Sequence, residues 1–369
     1  MNRRDFIKYG TLFAGGGCLG ILINNGDFFD KNKTLKQTLD NKPCSRPFDF
    51  CEFNTKGNIY PCCPDFVKYG TPAGNLANQS FDKIWNGKIF KDLRERVLKG
   101  DYSMCNRNLC SLYNPCSAGE LPDKYEKGPK EIKISYDYEC NYKCITCRDY
   151  IKINTPEEIE LYDEVYLPRV MEAAKNAKIV NLLGVGDPLF SRHSRKLMQT
   201  LVGKYPKIKF TLCTNGLLLD EKNLTELGIQ NNLLGVSVSI DAVNRETYKK
   251  ILRTDAFDIV MKNVELMSEW KKQGKFKWLL LNFVVHLLNY KEMPEFMKIA
   301  QNLDATAFFS TYRPWGSTEF SKRYDEVAVF EPTNKHYKNL AKILKNPVFK
   351  DIDHCILEQT LLNVLNSGA

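Results

Sequence analysis

The sequence predicts an α/β protein in which a parallel sheet follows a small cysteine-rich domain. From Lys130 onward, short apolar runs alternate with amphipathic helical segments, and six such strand–helix units follow one another. The region before Lys130 is instead rich in turns and cysteines, with one clear helical pattern at Ser80–Lys99. Strand–helix alternation alone does not separate a curled, six-stranded partial barrel from a flat, doubly wound sheet, so both remain open at this point.

The six predicted strands are short apolar runs, each separated from the next by helical segments. The strands are Glu131–Tyr136, Ile179–Leu183, Ile208–Cys213, Leu234–Ile240, Trp278–Val285 and Thr306–Ser310. The helices are Pro156–Asn176, Ser191–Tyr205, Glu221–Leu227, Arg245–Leu252, Phe257–Gln273 and Met293–Asn302. Thr155, followed by Pro156 and Glu158, is typical of a capped helix start. Because function collects at the carboxyl ends of parallel strands, the loops after these strands are the first candidates for a site.

The composition excludes several classes of protein. The chain has 369 residues, of which 43% are hydrophobic and 26% charged, so it is not disordered throughout. Its one apolar run with little charge, Thr11–Ile23, is shorter than the ~20 residues of a spanning helix, which excludes a polytopic membrane protein. The net charge of +9 comes from scattered Lys and Arg, which favours a solvated basic surface, and no nucleic-acid partner is expected.

Residues 1–26 resemble a twin-arginine export signal. Arg3 and Arg4 precede the apolar pair Phe6-Ile7 and Lys8, and the short apolar run Thr11–Ile23 follows. Residues 27–42 are polar and predict a linker. The segment therefore predicts export or membrane association through the amino terminus. The alternative is a cytoplasmic protein with a basic amino terminus that is never used as a signal.

Three cysteines follow the first predicted strand of the sheet: Cys140, Cys144 and Cys147. At this spacing, one loop can wrap around a cubic iron–sulfur cluster, bind three of its irons and leave the fourth open. Four thiolates are usual for a cluster that only carries electrons, so a missing fourth ligand indicates an iron that binds something else. The alternative is a structural zinc site whose fourth ligand lies elsewhere in the chain.

The cysteine loop resembles that of the radical S-adenosylmethionine (radical SAM) enzymes, and the resemblance extends over Glu131–Gly316. Three further segments, each at the end of a predicted strand, support it: Gly184-Val185-Gly186-Asp187-Pro188, Thr214-Asn215-Gly216 and Ser237-Val238-Ser239-Ile240-Asp241. The first looks like the family's Gly-Gly-Glu-Pro motif, which holds the amino group of SAM. The last looks like a Ser-x-Asp strand end that faces the SAM ribose and the substrate. The sequence departs from the family at Asp187, which replaces Glu, and at Thr146, where an aromatic residue is common.

The resemblance implies a partial (β/α)6 barrel, which is placed at residues 128–320. Residues 321–369 are predicted to form a helical carboxyl-terminal extension. The resemblance also implies a [4Fe–4S] cluster on the three loop cysteines, and SAM bound by Gly184, Gly186, Asp187, Pro188, Thr214, Asn215, Ser237, Ser239 and Asp241. The implied reaction is reductive cleavage of SAM to a 5′-deoxyadenosyl radical that abstracts hydrogen from a substrate; no residue is assigned as catalytic. Plainer interpretations remain open: Gly184–Pro188 as an ordinary strand-to-helix turn, and Ser237 and Ser239 as packed hydroxyls.

Residues 43–127 are predicted to form a small domain, in which Cys44–Cys116 resembles the SPASM/twitch auxiliary-cluster domain of radical SAM enzymes. The resemblance is carried by Cys51, by Gly57 followed after four residues by Cys62, by Gly74-Asn75-Leu76, by Ile84-Trp85-Asn86, and by a closing group of cysteines. It implies at least one auxiliary iron–sulfur cluster, with Cys51, Cys62, Cys105 and Cys110 as favoured ligands. Cys44, Cys63 and Cys116 are candidates for a second or alternative set. In the family this domain usually follows the barrel, whereas here it precedes it. The alternatives are a zinc ribbon and a set of disulfides.

Three functions remain in competition on the sequence. The first is a radical SAM enzyme that takes electrons from flavodoxin or ferredoxin and acts on an unidentified peptide, protein or small molecule. The second is a non-catalytic iron–sulfur electron carrier on the same scaffold, which the altered Gly184–Pro188 motif favours. The third is a zinc-ribbon nucleic-acid binder, which has no basic, aromatic-studded stretch to support it.

Overall fold

One ten-stranded sheet runs through the computed structural model of the protein, which describes residues 43–64, 67, 71–105, 127–314 and 318–367. The strands are β1 (Phe50–Asn54), β2 (Asn58–Tyr60), β3 (Gly74–Asn75), β4 (Glu131–Ile134), β5 (Ile179–Leu182), β6 (Lys209–Thr214), β7 (Leu233–Ser239), β8 (Trp278–Val285), β9 (Thr306–Thr311) and β10 (Cys355–Leu357). Their spatial order is β10-β9-β8-β7-β6-β5-β4-β1-β2-β3. The residues of the predicted signal and linker, 1–42, lie outside the described residues.

Strands β4 to β9 are the six predicted strand–helix units, and they are parallel. Successive residues of a strand point to opposite faces of the sheet. One set is apolar and includes the fully buried Leu212, Val236 and Leu281. The alternate set contains polar residues that are also buried, among them Asn181, Ser237 and Asn282. A polar face that is closed to solvent is the interior of a curled sheet, which agrees with the predicted partial barrel.

The amino-terminal domain contributes its own strands to the barrel sheet. Strand β1 pairs in parallel with β4, and its partners run from Phe50 opposite Glu131 to Phe53 opposite Ile134. Strands β2 and β3 continue the sheet in antiparallel fashion. Gly57 makes the turn between β1 and β2 with φ of 75°, and a side chain at this position would collide with the Tyr166 ring. The strands before and after the predicted domain boundary at residue 127 therefore belong to one continuous sheet.

The helices agree with the predicted segments except in two places. The predicted helix Ser80–Lys99 is two helices, because the backbone at Gly87 is extended and Gly87 caps a new helix; a side chain there would approach the carbonyl oxygens of Lys83 and Ile84 to 3.0 Å. The predicted helical extension also contains strand β10, which pairs in parallel with β9. The helices are Arg46–Asp49, Phe81–Trp85, Lys88–Leu98, Pro156–Glu160, Leu167–Ala174, Arg192–Lys204, Glu221–Glu226, Arg245–Leu252, Phe257–Lys272, Met293–Asn302, Glu319–Lys322, Tyr324–Val327, Tyr337–Leu344 and Gln359–Asn366, with a π-helical turn at Leu161–Tyr166.

Candidate active site

The three-cysteine loop lies beyond the carboxyl end of β4. The Cys140 N–H donates to the Lys152 carbonyl at 2.9 Å, which closes the base of the loop. The Ile145 N–H donates to the Ile251 carbonyl at 2.9 Å and ties the loop to the end of helix Arg245–Leu252. Cys140, Cys144 and Cys147 are partly exposed thiols. The loop therefore presents three cysteines at one end of the barrel from a backbone that is fixed at both sides.

Two buried carboxylates that the sequence analysis missed hold the start of this loop. Asp137 accepts hydrogen bonds from Asn154 Nδ2 at 2.9 Å and from Ser194 Oγ at 2.8 Å. Glu139 accepts a hydrogen bond from the Arg192 N–H at 3.0 Å. Arg192 is the first residue of helix Arg192–Lys204, where a negative charge is favourable. The signal in the sequence that could have identified them is their position, since Asp137 and Glu139 alternate just before Cys140. A buried carboxylate needs several donors, and these donors lie elsewhere in the chain.

The structure brings the cysteine loop and two of the predicted SAM-binding segments into one network. Asn215 Nδ2 donates to Asn141 Oδ1, between the first two cysteines, at 2.7 Å. The Asp187 carboxylate accepts from Thr214 Oγ1 at 2.7 Å and from the Asn215 N–H at 2.8 Å. Its other oxygen accepts from the Leu189 and Phe190 N–H groups, at 3.0 and 3.2 Å. Asp187 therefore orders the loops after β5 and β6 through contacts within the chain.

The glycine pattern of the loop after β5 has a steric cause. A side chain at Gly186 would meet the carbonyl oxygens of Asp137 and Glu139 at 2.6 Å. Gly184 lies close to the backbone of Ser135, which a side chain would approach to 3.3 Å. The glycines of the Gly184–Pro188 segment thus let this loop pack directly on the start of the cysteine loop.

A polar wall faces the barrel interior at the carboxyl ends of β6, β7 and β8. Asn282 Nδ2 donates to Ser237 Oγ at 2.7 Å and lies 3.5 Å from Ser239 Oγ and 3.9 Å from the Cys213 sulfur. The Asn282 Oδ1 atom is buried and has no hydrogen-bond partner in the structure. Asn282 and Cys213 were not singled out as site residues in the sequence. An unsatisfied amide oxygen in a closed polar wall is suited to a ligand that donates a hydrogen bond.

Asp241 follows β7 in an unusual backbone conformation. Its φ is 60°, a left-handed region that aspartate and asparagine tolerate better than most residues. Its Oδ1 accepts from the Val284 N–H at 2.7 Å, and its own carbonyl accepts from Asn289 Nδ2 at 2.9 Å. Burial raises the pKa of Asp241 to about 7. The carboxyl is therefore held by backbone contacts, and half of it carries a proton near neutral pH.

We expect Asp241→Asn to stabilise the protein at neutral and alkaline pH. The folded-state pKa of about 7 exceeds the ordinary value of 3.8, so the wild type loses stability as the pH rises from 4 to 7. Asparagine imitates the neutral carboxyl at every pH. The gap between variant and wild type should widen over this range by about 4 kcal/mol and stay constant above it. Urea unfolding at several pH values measures the gap, and the exposed Asp258→Asn serves as control. A gap that does not change with pH would contradict the prediction.

The donor set of the cysteine loop fits an iron–sulfur cube. It offers three thiols, and the Tyr142 N–H donates toward the Cys140 sulfur at 3.5 Å. Burial raises the pKa of Cys140 to about 11 and raises that of Cys144, so assembly of the cluster has to displace protons from these thiols. Within the described ranges, no three His, Cys, Asp or Glu residues group closely enough to hold a single metal ion.

The cysteines of the amino-terminal domain fall into two neighbouring groups. Cys51 is fully buried, and the charge of Arg46 acts on it and on Cys44 and Cys62. Cys44 and Cys105 pack against one apolar cluster that contains Phe48 and Leu93. Cys44 therefore lies near Cys105, one of the favoured ligands, while it was expected as a candidate for a second or alternative set. Cys51, Cys62, Cys105 and Cys44 are thiols, as a cluster requires.

The remaining predicted ligands of this domain are Cys63, Cys110 and Cys116, and the structure does not show any of them as a thiol. Cys63 is in a disulfide and in this state supplies no thiolate. Cys62 and Cys63 pack against Leu183 and Cys213 of the barrel, so the cysteine pair adjoins the polar wall. Cys110 and Cys116 lie outside the described residues.

Comparison with known protein families agrees with both resemblances. The profile of the radical SAM superfamily matches residues 135–300, and that of an iron–sulfur cluster-binding domain, SPASM, matches residues 44–111. The SPASM domain thus precedes the radical SAM domain in the chain. Together the two domains imply a [4Fe–4S] cluster, auxiliary iron–sulfur clusters and SAM as cofactors.

Characterised relatives resemble only part of the chain. A GTP 3′,8-cyclase of Synechocystis sp. is 29% identical over 182 residues, which cover 49% of this chain and 53% of the cyclase. The FeMo cofactor biosynthesis protein NifB of Methanocaldococcus jannaschii is 26% identical over 160 residues, 39% of this chain and 49% of NifB. The crystal structure of Streptococcus suis SuiB bound to S-adenosylmethionine has a TM-score of 0.45 at 16% identity, and covers 73% of this chain and 54% of SuiB. The chain spans about half the length of these curated relatives.

Proposed function

Because the chain belongs to the radical SAM superfamily and carries a SPASM domain ahead of its barrel, we propose that it cleaves SAM reductively and abstracts hydrogen from a substrate. The observation that carries the proposal is the three-thiol loop, joined by hydrogen bonds to the loops after β5 and β6. When bound, the cluster supplies the electron that breaks a carbon–sulfur bond of SAM and leaves a 5′-deoxyadenosyl radical.

In this proposal, the residues of the chain bind the cluster, orient SAM and exclude water. Cys140, Cys144 and Cys147 hold the cluster, and Asn141 and Asn215 fix the loop against the neighbouring strand ends. The backbone of the Gly184–Pro188 segment and the residues Thr214, Asn215, Ser237, Ser239 and Asp241 line the space proposed for SAM. Because the polar wall is buried, a ligand placed against it meets fixed dipoles in place of water.

The substrate in this proposal is a peptide, a protein or a small molecule that donates a hydrogen bond to the polar wall of Ser237, Ser239 and Asn282. Hydrogen abstraction marks the substrate, because its hydrogen atom is transferred to 5′-deoxyadenosine. We therefore propose to incubate the loaded protein with the small-molecule and the peptide fractions of a deuterated cell extract. Deuterium in 5′-deoxyadenosine identifies the fraction that contains the substrate.

The reaction itself is tested without knowledge of the substrate. The protein is reconstituted anaerobically with iron and sulfide, then given SAM and dithionite, and 5′-deoxyadenosine is measured. Formation of 5′-deoxyadenosine supports the proposal. A cluster that is reduced while SAM remains intact would instead support the second candidate, a non-catalytic electron carrier. The observation that favours this candidate is Asp187, whose carboxylate is used within the chain.

The electron donor in this proposal is flavodoxin or ferredoxin. Support comes from the partial exposure of all three loop cysteines, which leaves the cluster site accessible to a protein partner. Replacing dithionite by reduced flavodoxin or ferredoxin in the same assay tests the proposal, and 5′-deoxyadenosine is again the product measured. No nucleic acid is part of the proposed reaction.

For the location, we propose twin-arginine targeting, through export or membrane association, with a cytoplasmic protein as the alternative. Arg3 and Arg4 support it. Among the described residues no helix is both long and apolar enough to cross a membrane. We expect Arg3→Lys with Arg4→Lys to move the protein into the soluble cytosolic fraction, because this export route recognises the arginine pair. Fractionation of cells measures the shift, and identical soluble distributions of variant and wild type would contradict the proposal.

A further inference from the structure

Arg148 directly follows the last cysteine of the loop and connects three parts of the site. Its Nε donates to the Cys147 sulfur at 3.4 Å, and its Nη1 donates to the Tyr138 carbonyl at 2.7 Å. Its Nη2 donates to the carbonyl of Val185, in the middle of the Gly184–Pro188 segment. One guanidinium thus links a cluster ligand, the start of the cysteine loop and the proposed SAM-binding loop.

Among the described residues, no carboxylate neutralises the positive charge of Arg148. Over the parts of the chain that the structure describes, Arg148 forms no ion pair with Asp or Glu; the adjacent Asp149 instead pairs with Arg253 at 2.8 Å. The charges that act favourably on Arg148 belong to Cys147, Cys140 and Cys144. A half-buried arginine without a counter-ion is costly, unless the negative charge arrives with the group that these cysteines hold.

An iron–sulfur cube bound by three thiolates is negatively charged and would serve as the counter-ion of Arg148. The oxidised cube with three thiolates is already negative overall, and one added electron increases its negative charge. A fixed positive charge with an N–H directed at a ligand sulfur favours the reduced state, since net charge and hydrogen bonds to sulfur set the potential of such clusters. No proton moves in this step; one electron is added and Arg148 stays protonated throughout.

We propose that Arg148 raises the reduction potential of the cluster and fixes the Gly184–Pro188 loop against it. It is a positioning residue that acts through Cys147 and Val185. The inference rests on the proposed function, because it requires a cluster on the three loop cysteines. A lysine at this position would keep the charge, but it lacks the planar fork that reaches three acceptors at once.

The test compares midpoint potentials of the reconstituted proteins by electron paramagnetic resonance, without SAM. We expect Arg148→Gln to shift the potential to more negative values while the iron content stays at the wild-type level. The matched control is Lys143→Gln, which removes a positive charge from the same loop at an exposed position. Solvent screens this charge, so its removal should leave the potential unchanged. An unchanged potential in Arg148→Gln, or an equal shift in Lys143→Gln, would overturn the inference.

A second variant covers the case in which Arg148→Gln assembles no cluster. Arg148→Lys keeps the charge and loses the fork, so its potential should stay near that of the wild type. Its affinity for SAM, read from the change in the resonance spectrum on titration, should fall by about tenfold, since a charge-assisted hydrogen bond is lost. Wild-type affinity in this variant would overturn the inference. A wild-type protein that binds no iron on the loop would overturn the proposed function instead.

Discussion

A variant in which Cys140, Cys144 and Cys147 are all alanine should lose about four irons per chain and all formation of 5′-deoxyadenosine. The three cysteines are all of the protein ligands in the proposed site, so the triple variant has none of them left. The loop backbone should stay in place, because main-chain hydrogen bonds close its base and tie it to helix Arg245–Leu252, and Asp137 and Glu139 hold its start. The loss should therefore concern the cluster and leave the fold intact.

The measurement is the iron content after anaerobic reconstitution, together with the 5′-deoxyadenosine assay and a circular dichroism spectrum. Cys355→Ala, at strand β10, is the matched control and should keep both iron and activity. The iron that remains in the triple variant belongs to the cysteines of the amino-terminal domain. Unchanged iron content in the triple variant would rule out the assignment of the loop.

The second large effect is expected at Glu52, inside the sheet where the two domains join. Its carboxylate lies 3.1 Å from the Lys133 ammonium, and the two side chains are 1% and 5% exposed. Asn54 Nδ2 donates to the same oxygen at 3.0 Å. Glu52→Gln removes the negative charge and leaves the ammonium buried, so we expect a loss of about 3–5 kcal/mol in the free energy of unfolding.

Denaturant unfolding of the variants measures this loss, and Glu319→Gln is the control. Glu319 pairs with Lys322 at the surface, where both side chains are more than half exposed, and its loss should cost well below about 1 kcal/mol. Adding Lys133→Met to Glu52→Gln should recover much of the stability, since the buried ammonium that lost the Glu52 carboxylate is then gone. Equal, small losses at Glu52 and Glu319 would show that the buried pair does not stabilise the joined sheet.

The barrel could be predicted from the sequence because its signals are local. Apolar strands such as Trp278–Val285 and capped helices such as the one after Thr155 are visible within short windows, and the structure has both. The three cysteines were visible for the same reason, since one loop supplies them all. The break at Gly87 was also signalled locally, by the Asn86-Gly87 pair, but the continuous apolar pattern on either side favoured one helix.

The parts that the sequence did not predict depend on distant partners. Strand β1 is five residues long within a cysteine-rich block, and its place in the sheet depends on contacts such as Glu52 with Lys133, 81 residues away. The hydrogen bonds of Asp187 likewise depend on Thr214 and Asn215. The sequence places Arg148 beside Cys147, but only the tertiary structure shows that it also reaches Val185.

The parallel pairing of β1 with β4 also determines the order in which the chain is able to fold during synthesis. Strand β1 leaves the ribosome long before β4, so one of its edges carries unpaired N–H and C=O groups until residue 134 has been made. A pairing of such long range is slow to form, because loop closure precedes any gain from contacts. The β1–β4 pairing thus forms only after residue 134 has been made, and a nascent chain halted before residue 131 exposes a strand edge that favours aggregation.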